Sequence, residues 1–174
     1  MKLTWFGGTT FRIHAGGRML VVDPEGAPAA VDRTELLSGA DRVFRLADDL
    51  PAVDPARWQP RKVSALIDEG TALPDVLVYR AGPDAVLLEA VGEAPLLIAT
   101  GPVDEVGRWG REAVVIVAGA GLGATAASVV GEIGPRLIAV AGGERAVDEV
   151  IAAIRDRLDG TGLIALDPGL ALEV

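Results

Sequence analysis

The segment ADDLPAVDP places Asp48, Asp49 and Asp54 in one loop. With Asp23 or Asp104 brought alongside, these carboxylates would give an all-oxygen ligand set for a hard cation such as magnesium or calcium. The competing reading is plainer: at a net charge of −9, loop carboxylates are commonly just solvated. In the same plain reading, Asp23 with Pro24 caps a strand end, and Asp167 with Pro168 and Gly169 makes a turn. A second constellation is VIVAGAGLGA, where Gly119, Gly121 and Gly123 lie between an apolar run and a helix-forming stretch. Backbone N–H groups at such a turn can approach a small anion or a nucleotide pyrophosphate at a helix N-terminus. The acid that would hold a ribose about twenty residues further on is missing from LIAVAGG, and close strand–helix packing would explain the glycines equally well. The chain's one histidine, His14, has no acid partner in a recognisable motif, so no Ser-His-Asp triad is expected. It is out of phase with Phe11 and Ile13 and is expected at an edge or facing solvent.

These groups must be positioned by elements that the pattern makes visible. Lys2 to Val22 reads as strand, turn, strand: TFRI alternates, AGG supplies a tight turn, and RMLVVDP stops where Pro24 can no longer donate to a ladder. Asp32 and Glu35 have capping-box spacing before a short helix that Gly39 closes. DRVFRL is then a short strand. From Val63 to Thr100, VSALI, DVLVYR, AVLLEAV and PLLIAT are expected to form an antiparallel meander, separated by DEGTALP, AGPD and GEA. Beyond Thr100 the order alternates. AVVIVA and RLIAVA are runs buried on both faces, ATAASVVGEI is a helix, and ERAVDEVIAAIRDRL is an amphipathic helix with an apolar stripe at Val147, Val150, Ile151, Ile154 and Leu158. GLIALDPG ends the series as a strand and turn. Two sheets covered by helices would bury both the meander and the later strands.

Composition excludes several classes. The 174 residues suit one domain, 1–174, and without cysteine there is no disulfide, no thiolate catalysis and no cysteine-type zinc or iron–sulfur site. The negative charge argues against nucleic acid and against anionic membrane surfaces, both of which call for clustered Lys and Arg. Ala113 to Gly131 is uncharged and long enough to span a membrane, but the glycines at its centre read as a turn between strand and helix. No apolar h-region follows Lys2, and a cytoplasmic protein is expected. Aromatic residues make up only 4%, so the core should be aliphatic, with Trp5, Trp58 and Trp109 as buried or edge anchors.

The order of motifs resembles the metallo-β-lactamase fold superfamily, in the branch similar to L-ascorbate-6-phosphate lactonases and small metal-dependent hydrolases. LTWFGGTTFRIHAGGRMLVVDP is similar to that family's opening strand, Gly-His-Ser/Thr turn, and strand ending in Asp-Pro. PLLIATGPVDEV is similar to its strand ending in Thr-Gly-Asp, AVVIVAGAG to its following buried strand, and RLIAVAGG with GLIALDPG to its last two strands. The resemblance implies an α/β (α+β) four-layer αββα sandwich, two mixed sheets flanked by helices, with the site along one edge. It also implies one or two zinc or manganese ions held by a His-x-His-x-Asp-His loop, further histidines and the Asp of Thr-Gly-Asp, which generate hydroxide and polarise the substrate.

Position by position, those ligands are missing. Gly7 and Gly8 stand for Gly-His, ADDLPAVDP has no histidine, Pro102 stands for the bridging Asp, and Gly142 and Gly143 follow RLIAVA. The expectation is therefore a pseudoenzyme: no metal or other cofactor, no catalytic residues, and a binding or assembly role, with a homo-oligomer covering part of the aliphatic surface. Two alternatives stand beside it. One is a metal-dependent hydrolase using Asp48, Asp49 and Asp54; the other is a small anionic ligand or nucleotide binder at Gly119, Gly121 and Gly123.

Overall fold

The opening stretch folds as a three-stranded antiparallel unit: β1 (Lys2–Gly7), β2 (Thr10–Ala15) and β3 (Arg18–Val22). The computed structural model describes residues 1–62 and 75–174, so VSALI and DEGTALP lie outside the described residues. Among the described residues there follow α1 (Arg33–Leu37), β4 (Arg42–Phe44), β5 (Leu77–Gly82), β6 (Ala85–Glu89), β7 (Leu96–Ala99) and β8 (Val114–Val117). The series ends with α2 (Leu122–Glu132), β9 (Leu137–Val140), α3 (Glu144–Ile154), β10 (Gly162–Ala165) and β11 (Ala171–Glu173).

The strands form two mixed sheets. The first has the order β11-β1-β2-β3-β4 and the second β10-β9-β8-β7-β6-β5. Register follows the alternation read in the sequence. Trp5 faces Phe11, Leu3 faces Ile13, and Phe11 faces Val22, which puts all their side chains on one face of the first sheet. That face packs on Val78, Val86, Leu88, Leu96, Ile98, Val114 and Ile116 of the second sheet to form the inter-sheet core. The alternate residues Leu87, Leu97, Val115, Val117, Ile138 and Val140 point the other way, under α2 and α3. Strands β6 to β9 are thus buried on both faces, which is why they read as continuous apolar runs. The expected meander holds for β5, β6 and β7, which pair antiparallel; β7 to β10 are parallel, with a 3-10 turn (Arg108–Glu112) in the first crossover and α2 and α3 in the next two.

The fold is the α/β sandwich of two mixed sheets with helices outside, and its outer layers are unequal. Helices α2 and α3 cover the second sheet. Among the described residues, the helix on the first sheet's side is the five-residue α1, capped as expected by the Asp32 carboxylate, which accepts from the N–H groups of Thr34 and Glu35. Arg12, pointing outward between Phe11 and Ile13, ties α1 down by donating to the carbonyls of Glu35 and Ser38.

Two sequence expectations need amending. Ile151 is 40% exposed, while Val150 and Ile154 are fully buried, so the stripe on α3 is narrower than the spacing suggested. The three residues of β11, pairing with β1 through Leu3 and Leu172, went unread because so short a strand carries little period-two signal. The apolar stretch from Ala113 to Gly131 is divided among β8, a turn and α2, and among the described residues no helix is long and apolar enough to cross a membrane.

Candidate functional site

The C-terminal ends of β3, β4 and β7 to β10 and the β1–β2 turn gather at one end of the sandwich. The gathering is visible in hydrogen bonds between loops of both sheets. The Gly169 N–H donates to the Trp5 carbonyl at 2.7 Å, and the Trp5 indole donates to the Gly8 carbonyl at 3.0 Å. Asp23 ties three strand ends together: its N–H donates to Phe44, its carbonyl accepts from the Thr10 hydroxyl at 2.7 Å, and its carboxylate accepts from the Leu46 N–H at 2.8 Å. Asp23 holds a left-handed backbone at φ +44°, a conformation that Asp tolerates better than most residues. The strand-end reading of Asp23 is the one its contacts support.

The three loop aspartates do not converge. Asp48 folds back on its own turn, accepting from the Arg45 N–H at 2.8 Å and from the Arg45 guanidinium at 2.9 Å. Those two bonds hold its carboxyl below the usual carboxylate range and raise the Arg45 guanidinium in return. Asp54 makes a second local turn, accepting from the Ala56 N–H and pairing with Arg57 at 3.5 Å. Asp49 is exposed between them. Between Asp48 and Asp54 the chain runs along the edge of the second sheet, where Ala52 bridges to Arg80. Among the described residues, no three His, Cys, Asp or Glu side chains lie close enough to hold one metal ion.

The positions that would carry ligands in the resemblance are partly filled by neighbours. A Cβ at Gly142 would lie 2.5 Å from Leu122 Cδ1 and 3.2 Å from Ala146 Cβ, and one at Gly7 would lie 2.7 Å from Pro28 Cγ. At Gly143 a Cβ would meet nothing within 4 Å, and at Gly8, with φ +53°, it would lie 3.6 Å from the Gly26 carbonyl oxygen, so two side chains have room there, but two isolated donors do not make a zinc or manganese site. His14, the remaining imidazole, is exposed on β2 opposite Lys2 and Met19. The donor set therefore does not suit either metal.

What this end does contain is a cleft of about 340 Å³ between the sheets, floored by Val86 and Ile98 and walled by Leu46, Arg80, Asp84 and Thr100. The Arg80 guanidinium is fixed in it by donating to the carbonyls of Leu46 and Asp48. Thr100 donates its N–H and hydroxyl to the Asp84 carbonyl, at 2.8 and 3.2 Å. The Asp84 carboxylate lies over Gly101, with Oδ2 2.7 Å from where a Cβ would be. Asp84 was missed in the sequence because GPD announces a turn and nothing local says that the turn folds onto Gly101.

Gly119 and Gly121 form the exposed turn between β8 and α2, with φ of +84° and +69°. Gly123 lies in the first turn of α2, where a Cβ would meet the Glu149 carbonyl of α3 at 3.7 Å. The three glycines thus have separate local reasons: left-handed backbone for two and helix–helix approach for the third.

No family model matches the chain, and no curated protein matches it. Among solved structures, the chain is similar to a Thermotoga maritima protein assigned as a Zn-dependent hydrolase of the metallo-β-lactamase superfamily. The two are 13% identical, with a TM-score of 0.47, over 95% of this chain and 98% of that one. At that identity and score, no residue role passes from one to the other.

Proposed function

We propose that this chain is a non-catalytic binding module built on a sandwich of the metallo-β-lactamase kind, with the metal requirement gone and the inter-sheet cleft kept. The observation that supports this reading most is the side-chain content at the strand ends: Gly7, Gly8, Pro102, Gly142 and Gly143 where ligands would stand, with Leu122 and Pro28 occupying the space beside two of them. Metal hydrolysis needs several converging nitrogen and oxygen donors, and the cleft at this end is lined by one fixed guanidinium, one carboxylate and one hydroxyl around an apolar floor. Such a cleft orients a small polar ligand rather than activating water.

The reading is tested by elemental analysis of protein purified without chelator, incubated with zinc, manganese or magnesium, and desalted. Less than about 0.1 ion per chain is the expected result. One or two tightly held ions per chain would overturn it, and loss of those ions in Asp48→Ala or Asp49→Ala would place them at a carboxylate site instead.

A further inference from the structure

The opposite end of the parallel strands holds arginines that make no ion pair among the described residues. Among the described residues, Arg18, Arg33, Arg45, Arg57, Arg61, Arg145 and Arg155 are ion-paired. Arg12 and Arg80 donate to carbonyls, and Arg42 lies over the Phe44 ring at 5.7 Å. Arg108, Arg111, Arg136 and Arg157 have no such contact with any described residue, and all four lie just before β8, just before β9 or between α3 and β10. All four are exposed, so their guanidiniums are open to a ligand from solvent.

Three of them line one cleft. Arg108, Arg111 and Arg157 border a cavity of about 550 Å³ between the turn before β8, the last turn of α2 and the α3–β10 connection. Arg108 and Arg111 belong to one 3-10 turn, Arg108–Glu112, and are three residues apart, so they project on the same side. That turn is rigidly anchored. Trp109 is 6% exposed, donates its indole N–H to the Pro55 carbonyl at 2.7 Å, and meets Trp58 edge to face at 5.0 Å. Arg157 reaches in from the other wall, its Nη2 resting 3.0 Å from where a Cβ of Gly131 would be. Glu105, Glu132 and Asp159 stand in the same lining without pairing to these arginines. The cleft thus has guanidinium forks suited to an oxyanion and carboxylates suited to hydroxyl or amine donors.

We infer that this cleft is a second, metal-independent binding site, for a small phosphate-bearing molecule that also carries hydroxyl or amine groups. The arginines take the phosphate oxygens and the carboxylates take the donors. The site is separate from the cleft at Asp84 and stands whether or not that end is catalytic.

Calorimetric titration of the full chain with inorganic pyrophosphate at low ionic strength tests it. Saturable binding at one site per chain is expected, weakened about five- to tenfold in Arg108→Gln or Arg157→Gln and abolished when Arg108, Arg111 and Arg157 are all changed to Gln. Gly131→Ala removes no charge and suits a helix, and its methyl asks the flexible Arg157 tip to shift by only a fraction of its own length, so it should keep pyrophosphate affinity close to that of the parent and leave the protein folded to at least the original temperature. Absence of saturable heat overturns the inference. So does affinity unchanged in the triple variant, or affinity lost in Gly121→Val with the arginines intact, which would put the anion at the β8–α2 turn.

Discussion

At their C-terminal ends, β7 to β10 run into Thr100-Gly101, Ala118-Gly119, Ala141-Gly142 and Leu166-Asp167; at their N-terminal ends, β8 to β10 begin from turns carrying Arg108, Arg111, Arg136 and Arg157. The first end spends its polar groups internally, with Asp23, Arg80, Thr100 and Asp48 each committed to a nearby backbone or side-chain partner. The second leaves its guanidiniums unpaired around a cavity. A residue held by its own loop fixes geometry, whereas an unpaired one keeps its hydrogen-bonding capacity for something else.

The contrast can be attacked from either end. The largest effect is expected from Trp109→Ala, which removes a buried indole, its bond to Pro55 and the Trp58 contact beneath the arginine turn. It should cost about 3–5 kcal/mol, read as a lower midpoint in urea unfolding, and a cost under about 1 kcal/mol would mean that the turn is not anchored as described. Next comes Gly142→His, which places an imidazole at an end whose described residues have none. Crowding by Leu122 and Ala146 should cost about 1–3 kcal/mol, and adding zinc should not raise the unfolding temperature; a zinc-dependent rise would show that latent ligands remain. Asp23→Ala should lose about 1–2 kcal/mol, because the Leu46 N–H is orphaned and alanine tolerates the left-handed backbone less well.

The smallest effect concerns Asp48, whose carboxyl is held low in the folded chain by the Arg45 N–H and guanidinium. A folded-state depression adds stability above the unfolded-state titration, and that stability is lost as pH falls through the lower folded-state value. Asp48→Asn should therefore be slightly less stable than the parent at pH 7, with the gap closing as pH drops through and below the ordinary carboxylate range. A gap that widens in acid would contradict the assigned hydrogen bonds.

Much of the architecture could be read from local pattern, because the controlling signals are short in range. The alternation in TFRI, the Asp32 cap and the uninterrupted apolar runs of β8 and β9 each report burial or dihedral preference within a few residues. The Asp48–Arg45 pairing was equally local, at i,i+3, but loop carboxylates have too many uses for the spacing alone to select it. The cleft residues escaped for a different reason. Asp84 reaches Gly101 across a strand pair, and Arg157 sits above Gly131 only because α2 and α3 pack together. Unpaired arginines are invisible in a sequence altogether, since being unpaired is a property of everything else nearby.

The short strand β11 bears on how the protein reaches its native state. It enters the first sheet after β10 has completed the second, and it pairs Leu172 with Leu3, residues 169 positions apart by their numbers. On a ribosome, β1 would have emerged long before its outer neighbour existed, leaving one edge of the hairpin sheet open throughout synthesis. Such distant pairing slows the search for the folded topology. The edge beside β1 is where nascent chains of this protein would stick to one another, and where a chaperone holding an extended segment would protect them.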